Sequence, residues 1–494
     1  MRLDSRDAPL YTKLIQHAEQ NTISFHVPGH KYGKGYTNGE SDYYNKILSL
    51  DSTEISGLDD LHHPEGIIQE AQQLAADCFG AEQTYFLIGG STVGNIAAIL
   101  TLCGRGETLI VQRNAHKSVI NGLRLAGAHA VILQPDIDAR TGLATIPSLL
   151  TLEAALEQTP EAKGVLLTNP NYYGMGKSMV PYAEAAHKRG IPLIVDEAHG
   201  AHYGFHPRLP QGALASGADL VIQSTHKMLG AMTMGAMLHV QGERYPSEIL
   251  KERLAMLQSS SPSYPIMASL DMARRMVHTR SHELFDQGLA ASDLFCEKMR
   301  VFPCYQIETR TEKLHEPDGE LLQDPFKITV SDRTGTLSGF ELAKALEAHN
   351  CYAEMADPVR MLLVFSYATT PDDANRLFIA LEQVAEEHEL RHKPLQKINQ
   401  TTQSPLNEGI SDKVYFGIDE RNTCKNSITL EEAVGKRSAE MITPYPPGIP
   451  LLYPGEKISR ETVSRLIALR QAGARFQGSS DTELRTILVK NEPN

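Results

Sequence analysis

Between about residues 83 and 240, short apolar runs alternate with longer stretches of helical periodicity. The runs are QTYFLI (83–88), TLIVQ (108–112), HAVIL (129–133), GVLLT (164–168), IPLIV (191–195), DLVIQ (219–223) and AMLHV (236–240). They are continuous and rich in Val, Ile and Leu, the pattern of strands buried on both faces of a parallel sheet. The segments between them, such as VGNIAAILTLC and VPYAEAAHKRG, have helical spacing and length. Strand–helix alternation of this kind predicts an α/β domain with a mainly parallel sheet.

The pattern changes on either side. FHVPGHKYGKG (25–35) is rich in Gly, Pro and cations and reads as an irregular stretch, so residues 1–40 form an N-terminal arm. The large domain is placed at 41–290, ending in helical periodicity from about 265 to 300. Then FKITV, a helix SGFELAKALEAH, YAEMA, MLLVFSY and a helix PDDANRLFIALEQVAEEH predict a smaller α/β domain over 291–390. Residues 391–410 are polar and read as a linker. The region 411–494 is expected to be ordered, with a helix over LEEAVGKRSAEMI and a Pro-rich turn, TPYPPGIPLLYPGE (443–456).

Composition narrows the class. A chain of 494 residues with 41% hydrophobic and 22% charged residues suits a globular protein of two or three domains. No apolar run approaches the roughly 18 residues that span a bilayer. The N-terminus MRLDSRDAPLYTKL lacks the apolar core of a secretory signal. Six scattered cysteines without a CxxC pair suggest reduced thiols and a cytoplasmic location, not a disulfide or zinc framework. A net charge of −13 disfavours nucleic acid as a partner.

Four pieces then fall at the C-terminal ends of predicted strands, where open α/β sheets bind ligands. GGSTVGN (89–95) follows QTYFLI and opens a helix. Ser91 and Thr92 would offer hydroxyls and amides to a phosphate there, although a plain strand–helix turn has the same look. RNAHKSV (113–119) places His116 at the mouth of the sheet, as a ring-stacking imidazole or a simple loop residue. VDEAHGAH (195–202) puts Asp196 directly after a buried strand, where a carboxylate requires a cationic partner. A protonated pyridine nitrogen would suit it, with His199 in support. A helix cap or a metal would also suit it, but no third ligand stands at a convincing spacing. QSTHKMLGAMTMG (223–235) sets Lys227 among Ser224, Thr225, His226 and a glycine turn. A lysine so placed is partly desolvated and suited to a Schiff base with an aldehyde.

At these residues the chain resembles the Orn/Lys/Arg decarboxylase family of pyridoxal 5'-phosphate enzymes of fold type I. The likeness is carried by FHVPGHKYGKG, DSTEISGLDDLHHPEGIIQEAQQLAADCFGA, TYFLIGGSTVGN, RNAHKS, TNPNYYG, VDEAHGAH, STHKMLGAMTMG, SSSPSYPIMASLD and AVGKRSAEMITPYPPGIPLLYPGE. The resemblance implies an aspartate aminotransferase-like large domain and a C-terminal decarboxylase region. It implies that Lys227 binds the cofactor covalently, that Asp196 pairs with the pyridine nitrogen, and that His116 stacks on the ring. His199 would lie near the ring substituents. Ser91, Thr92, Ser224 and His226 would surround the phosphate, and Lys227 or His226 would return the proton after loss of carbon dioxide.

The active site would lie at the interface of a homodimer or higher homo-oligomer, with Ser261 of SSSPSYP (259–265) reaching the partner's cofactor. Glu354 is a candidate for the distal cation of a basic substrate, with a solvated strand-end carboxylate as the alternative. The early start of the matching motifs fits a short form without an N-terminal wing domain. The expected activity is α-decarboxylation of arginine or lysine, ahead of ornithine, to amines that enter polyamine metabolism or acid resistance. No metal is expected. The rival readings are an aminotransferase or lyase of the same fold, with Arg360 gripping the substrate carboxylate, and a non-catalytic regulatory relative.

Overall fold

A computed structural model describes residues 3–20, 22–36, 43–308, 321–396, 409–417, 425–445, 450–471 and 473–490. Every apolar run named above forms a strand: β1 (Gln83–Leu87), β2 (Thr108–Gln112), β3 (His129–Leu133), β4 (Val165–Thr168), β5 (Leu193–Asp196), β6 (Leu220–Gln223) and β7 (Ala236–Val240). From β2 onward their residues are buried almost without exception, which explains why the sequence is continuous rather than alternating there. The chain has an α/β fold and divides into two compact units. One comprises Met1–Leu102 with Pro192–Leu284, the other Cys103–Ile191 with Phe285–Asn494.

In the first unit the strands lie in the order β1-β7-β6-β5. β5 and β6 are parallel, while β7 runs antiparallel to both of its neighbours. The helix Gly90–Leu102 packs on this sheet through Gly94. A Cβ there would come within 2.8 Å of both the Ile222 and Leu87 side chains, so a larger residue would have to push them aside. A second layer joins Leu10 and Leu14 of the helix Pro9–Glu19 to Ile68, Ala71 and Ala75 of the helix Ile67–Phe79, and to Phe86, Met267 and Leu270. The first helix is also tied down by polar groups. Asp271 accepts from the Leu10 amide at 3.1 Å, and Arg274 donates to the Ser5 and Asp7 carbonyls at 2.9 and 2.6 Å. The segment Tyr264–Met299 is two helices meeting at Ser281, whose φ of 41° is not helical.

In the second unit β2 lies between β4 and β3, all parallel, and Val414–Tyr415 adds antiparallel to β3. A separate antiparallel sheet is built from Tyr305–Glu308, Lys327–Asp332, Met361–Val364 and Met355–Ala356. Its accompanying helices, Gly339–Glu347 and Pro371–Glu387, each start in a capping box, at Ser338 and Thr370.

The C-terminal region pairs Lys425–Thr429 with Thr486–Lys490 over an apolar cluster that includes Leu430, Ala433, Ile442 and Leu466. The helix expected over LEEAVGKRSAEMI does not form, and residues 430–442 are turns and isolated bridges. Gly435 has a φ of 86°, and its amide donates to Ile458 at 2.8 Å, so pairing with distant segments replaces the helical ladder. Of the expected linker, residues 397–408 lie outside the described residues, as do 446–449 of the Pro-rich turn. Among the described residues no helix is long and apolar enough to cross a membrane.

Candidate active site

The first unit brings together most of the residues singled out in the sequence. Asp196 is the last residue of β5 and only 2% exposed. Its Oδ2 accepts from Asn95 Nδ2 at 2.8 Å, and its Oδ1 accepts from the Ala198 amide at 3.2 Å. Both donors are neutral, and among the described residues Asp196 has no ion-pair partner. A buried carboxylate held only by neutral donors is poised for a cationic ligand atom, because burial of an uncompensated charge is costly.

Lys227 lies in the single helical turn Thr225–Met228 that follows β6, half-buried, with Nζ 2.9 Å from His199 Nε2. His199 is itself buried, three residues beyond Asp196. Ser224, fully buried at the start of that turn, donates through Oγ to Ser91 Oγ at 2.9 Å. This contact joins the end of β6 to the first turn of the helix Gly90–Leu102, where Thr92 is exposed. Gly90 has a φ of 74° and uses its amide on the Met234 carbonyl at 2.8 Å. His226 Nδ1 lies 2.9 Å from the Gly235 carbonyl, so it carries the proton and Nε2 is left for other partners.

Glu197, beside Asp196, belongs to a separate buried network. Gln223 Nε2 donates to its Oε2 at 2.7 Å and the Ala213 amide to its Oε1 at 2.8 Å, and burial pushes the carboxyl up to about 8.

In the second unit His116 caps the helix Lys117–Ala126. Its Nδ1 lies 2.8 Å from Ser118 Oγ and accepts from the Ser118 amide at 3.3 Å. Accepting that amide fixes the ring as the Nε2–H tautomer. Ser261 is exposed, its amide on Ser259 Oγ at 3.1 Å, and the Glu354 side chain is exposed. Arg360 is buried and committed elsewhere: Nη2 donates to the Thr141 carbonyl at 2.7 Å and Nε lies 3.6 Å from Asp357. Among the described residues no group of three His, Cys, Asp or Glu side chains is arranged to hold a metal.

The sequence reading missed Asn95, Gln223 and Ala213. Asn95 and Asp196 are 101 positions apart, and no local pattern links them. The one available signal was that Asn95 closes GGSTVGN at helical spacing from Ser91, on a helix that ends up buried against the strands.

The donor set suits pyridoxal phosphate: a carboxylate lacking a cation for the ring nitrogen, a half-buried amine for the aldehyde, and hydroxyls at a helix N-terminus for the phosphate. Fold and donors together define the class of fold type I pyridoxal-phosphate enzymes. Residues 8–373 match the profile of the Orn/Lys/Arg decarboxylase major domain, and residues 419–489 that of the Orn/Lys/Arg decarboxylase C-terminal domain. The chain belongs to the Orn/Lys/Arg decarboxylase family and is a pyridoxal-phosphate-dependent decarboxylase.

It is 40% identical to the uncharacterized protein YaaO of Bacillus subtilis, covering 98% of each chain. It is 33% identical to an arginine decarboxylase of the same organism, covering 99% of each. The crystal structure of the Francisella novicida lysine decarboxylase LdcF superimposes with a TM-score of 0.80 at 22% identity, over 98% of this chain and 81% of that one. At that identity the match speaks for the fold alone.

Proposed function

We propose that the chain removes the α-carboxyl group of a basic amino acid, arginine first and lysine second, releasing carbon dioxide and the corresponding amine. The observation that carries the reading is the buried Asp196 carboxylate, held by two neutral donors at the end of β5. The order of substrates rests on the relative named arginine decarboxylase, 33% identical over the whole length.

When bound, pyridoxal phosphate supplies an electron sink for the charge left on the α-carbon. The residues of the chain do the rest. Asp196 would pair with the ring nitrogen and keep it protonated, and Asn95 and the Ala198 amide hold both carboxylate oxygens in place. Lys227 would hold the cofactor by its aldehyde, with His199 fixing the position of Nζ. Ser91, Thr92 and Ser224 would hold the phosphate. His226, whose Nδ1–H donates to the Gly235 carbonyl, would as the imidazolium offer Nε2–H to the phosphate or, with Lys227, a proton to the α-carbon.

The roles of His116 on the ring face, Ser261 in a partner's site and Glu354 at the distal cation are proposed on the family resemblance. An aminotransferase would need an arginine for the substrate carboxylate, and Arg360, the residue considered for it, is engaged by Asp357 and Thr141.

The test is direct. Purified protein is supplied with arginine, lysine and ornithine in turn, and carbon dioxide and amine are measured. Lys227→Ala is expected to lose the visible absorbance of the bound cofactor and carbon dioxide release together, by at least about a thousandfold in rate. Retention of both would overturn the assignment, and release from ornithine alone would overturn the substrate order.

A further inference from the structure

The C-terminal region places one residue pair against the turn that carries His116. Arg113, the first residue after β2, is 4% exposed and meets Glu456 through two hydrogen bonds, Nη1 to Oε2 at 3.1 Å and Nη2 to Oε1. Glu456 is itself buried and its Oε2 also accepts from the Tyr453 amide at 3.1 Å. Tyr453 Oη donates to the Arg113 carbonyl at 2.6 Å, and its ring lies under the guanidinium, 5.4 Å from centroid to Cζ. Tyr453 and Glu456 therefore grip one residue by side chain and main chain at once.

The same stretch is pinned from its own side. The Arg113 amide donates to the Leu133 carbonyl at 2.8 Å, and Asn114 Nδ2 donates to the Thr145 carbonyl at 2.9 Å. His116 follows three residues after Arg113, with its ring turned back onto the Ser118 amide. A bidentate guanidinium–carboxylate pair has a fixed geometry. A buried one that loses a partner leaves an uncompensated charge, so the arrangement tolerates little displacement.

We propose that Glu456 and Tyr453 are positioning residues for His116, acting through Arg113, so that the C-terminal region sets the place of the imidazole at the cofactor. The proposal rests on the role given to His116 in the proposed function. It assigns the C-terminal region a part in building the site, beyond packing over its own apolar cluster.

The experiment uses the full chain with cofactor and three variants: Glu456→Gln, Tyr453→Phe and His116→Ala. Amide hydrogen exchange over residues 113–119 reads the turn, and titration of visible absorbance reads cofactor affinity. Glu456→Gln is expected to speed exchange over 113–119 and weaken cofactor binding, each by about tenfold, the effect of losing a charge-assisted contact. Exchange in the helix Pro371–Glu387 should be unchanged. Tyr453→Phe should act in the same direction by about threefold. It removes a single hydroxyl, so it supplies the same readouts should Glu456→Gln not fold. Because Glu456 acts through His116, the Glu456→Gln/His116→Ala double variant should bind cofactor no more weakly than His116→Ala.

Unchanged exchange over 113–119 overturns the proposal. So does faster exchange with unchanged cofactor affinity, or an additive double variant, when His116→Ala alone weakens binding. A silent His116→Ala instead overturns the role given to His116, and the positioning role with it.

Discussion

At the scale of single residues, the chemistry around β5 is an exercise in keeping buried polar groups paired. Asp196 was readable from sequence because a carboxylate directly after IPLIV has to find a partner. Its neighbour Glu197 carries the same problem, and its solution crosses three strands. His239 Nε2 lies 3.1 Å from Gln223 Oε1, and Thr84 Oγ1 lies 2.8 Å from His239 Nδ1, so a chain of hydrogen bonds runs from β1 through β7 and β6 to Glu197. Nothing in the sequence announces this chain, because its members are adjacent only across the sheet.

Two of those members titrate far from their usual range. Burial raises Glu197 from 4.5 to about 8 and lowers His239 from 6.5 to about 3. Between 4.5 and 8 the folded chain keeps a proton on Glu197 that the unfolded chain has released, so this group makes stability fall as pH rises. Between 3 and 6.5 the unfolded chain binds a proton at His239 that the folded chain refuses, so that group makes stability rise with pH. The two oppose each other where the windows overlap, and from 6.5 to 8 only Glu197 acts. Stability is therefore expected to fall across that interval by on the order of 1 kcal/mol per pH unit. Glu197→Gln, whose amide fits the chain once Gln223 turns over, should flatten the fall. Urea unfolding midpoints at both ends of the interval check this, and an equal slope in the variant would refute it.

At the scale of elements, the buried strands were the most readable feature, since each is long enough, apolar enough and bounded by turns. The turns after β1, β2, β5 and β6 were readable with them, because the chemistry sits where those strands stop. The C-terminal region was not. Thr429 and Glu432 make the reciprocal side-chain contacts of a helix start, so the local signal for a helix was real. It was overridden by pairing of the Gly435, Ser438 and Ala439 amides with Ile458, Glu456 and Leu488, partners that no local pattern identifies.

A cap of the opposite kind serves the helix Ile67–Phe79. Asp59 accepts from the Gly66 and Ile68 amides at 2.9 Å each, the Glu65 amide at 3.0 Å and the Gln69 amide at 3.3 Å. Burial opposes its ionisation, but these amide donors prevail and hold the carboxyl below its usual value. Because Asp59 lies eight residues before the helix, no capping rule applied along the chain would find it. Asp59→Ala is expected to cost about 2 kcal/mol, and Asp59→Asn, which keeps one acceptor oxygen, about half of that. Denaturant midpoints at constant m-value measure both. A loss within about 0.5 kcal/mol for the alanine variant would show that the helix starts without this cap.

At the scale of the whole molecule, the arm leaves apolar surface unexplained by a single chain. Phe25 is 95% exposed, Ile23 80% and Val27 67%, and Tyr43 and Tyr44 stand out at 96% and 63%. Isolated exposed side chains need no explanation, but several of them close together along the chain make a surface suited to an apolar partner. Residues 25–35 of this stretch carry Lys31 and Lys34 and no acidic residue, on a chain whose net charge is −13. A second copy of the chain would supply the opposite charge and, through its own exposed arm, an apolar contact, which is what the family resemblance implies for an enzyme whose site lies at a subunit interface. Sedimentation equilibrium at micromolar protein is therefore expected to give at least twice the 54.4 kDa of one chain. A two-fold interface presents each residue twice. Phe25→Asp thus removes two buried rings at roughly 2 kcal/mol each, which weakens association by about a thousandfold. A monomeric parent protein would refute the assembly. A dimer unaffected by Phe25→Asp would leave the assembly standing and remove the arm from its interface.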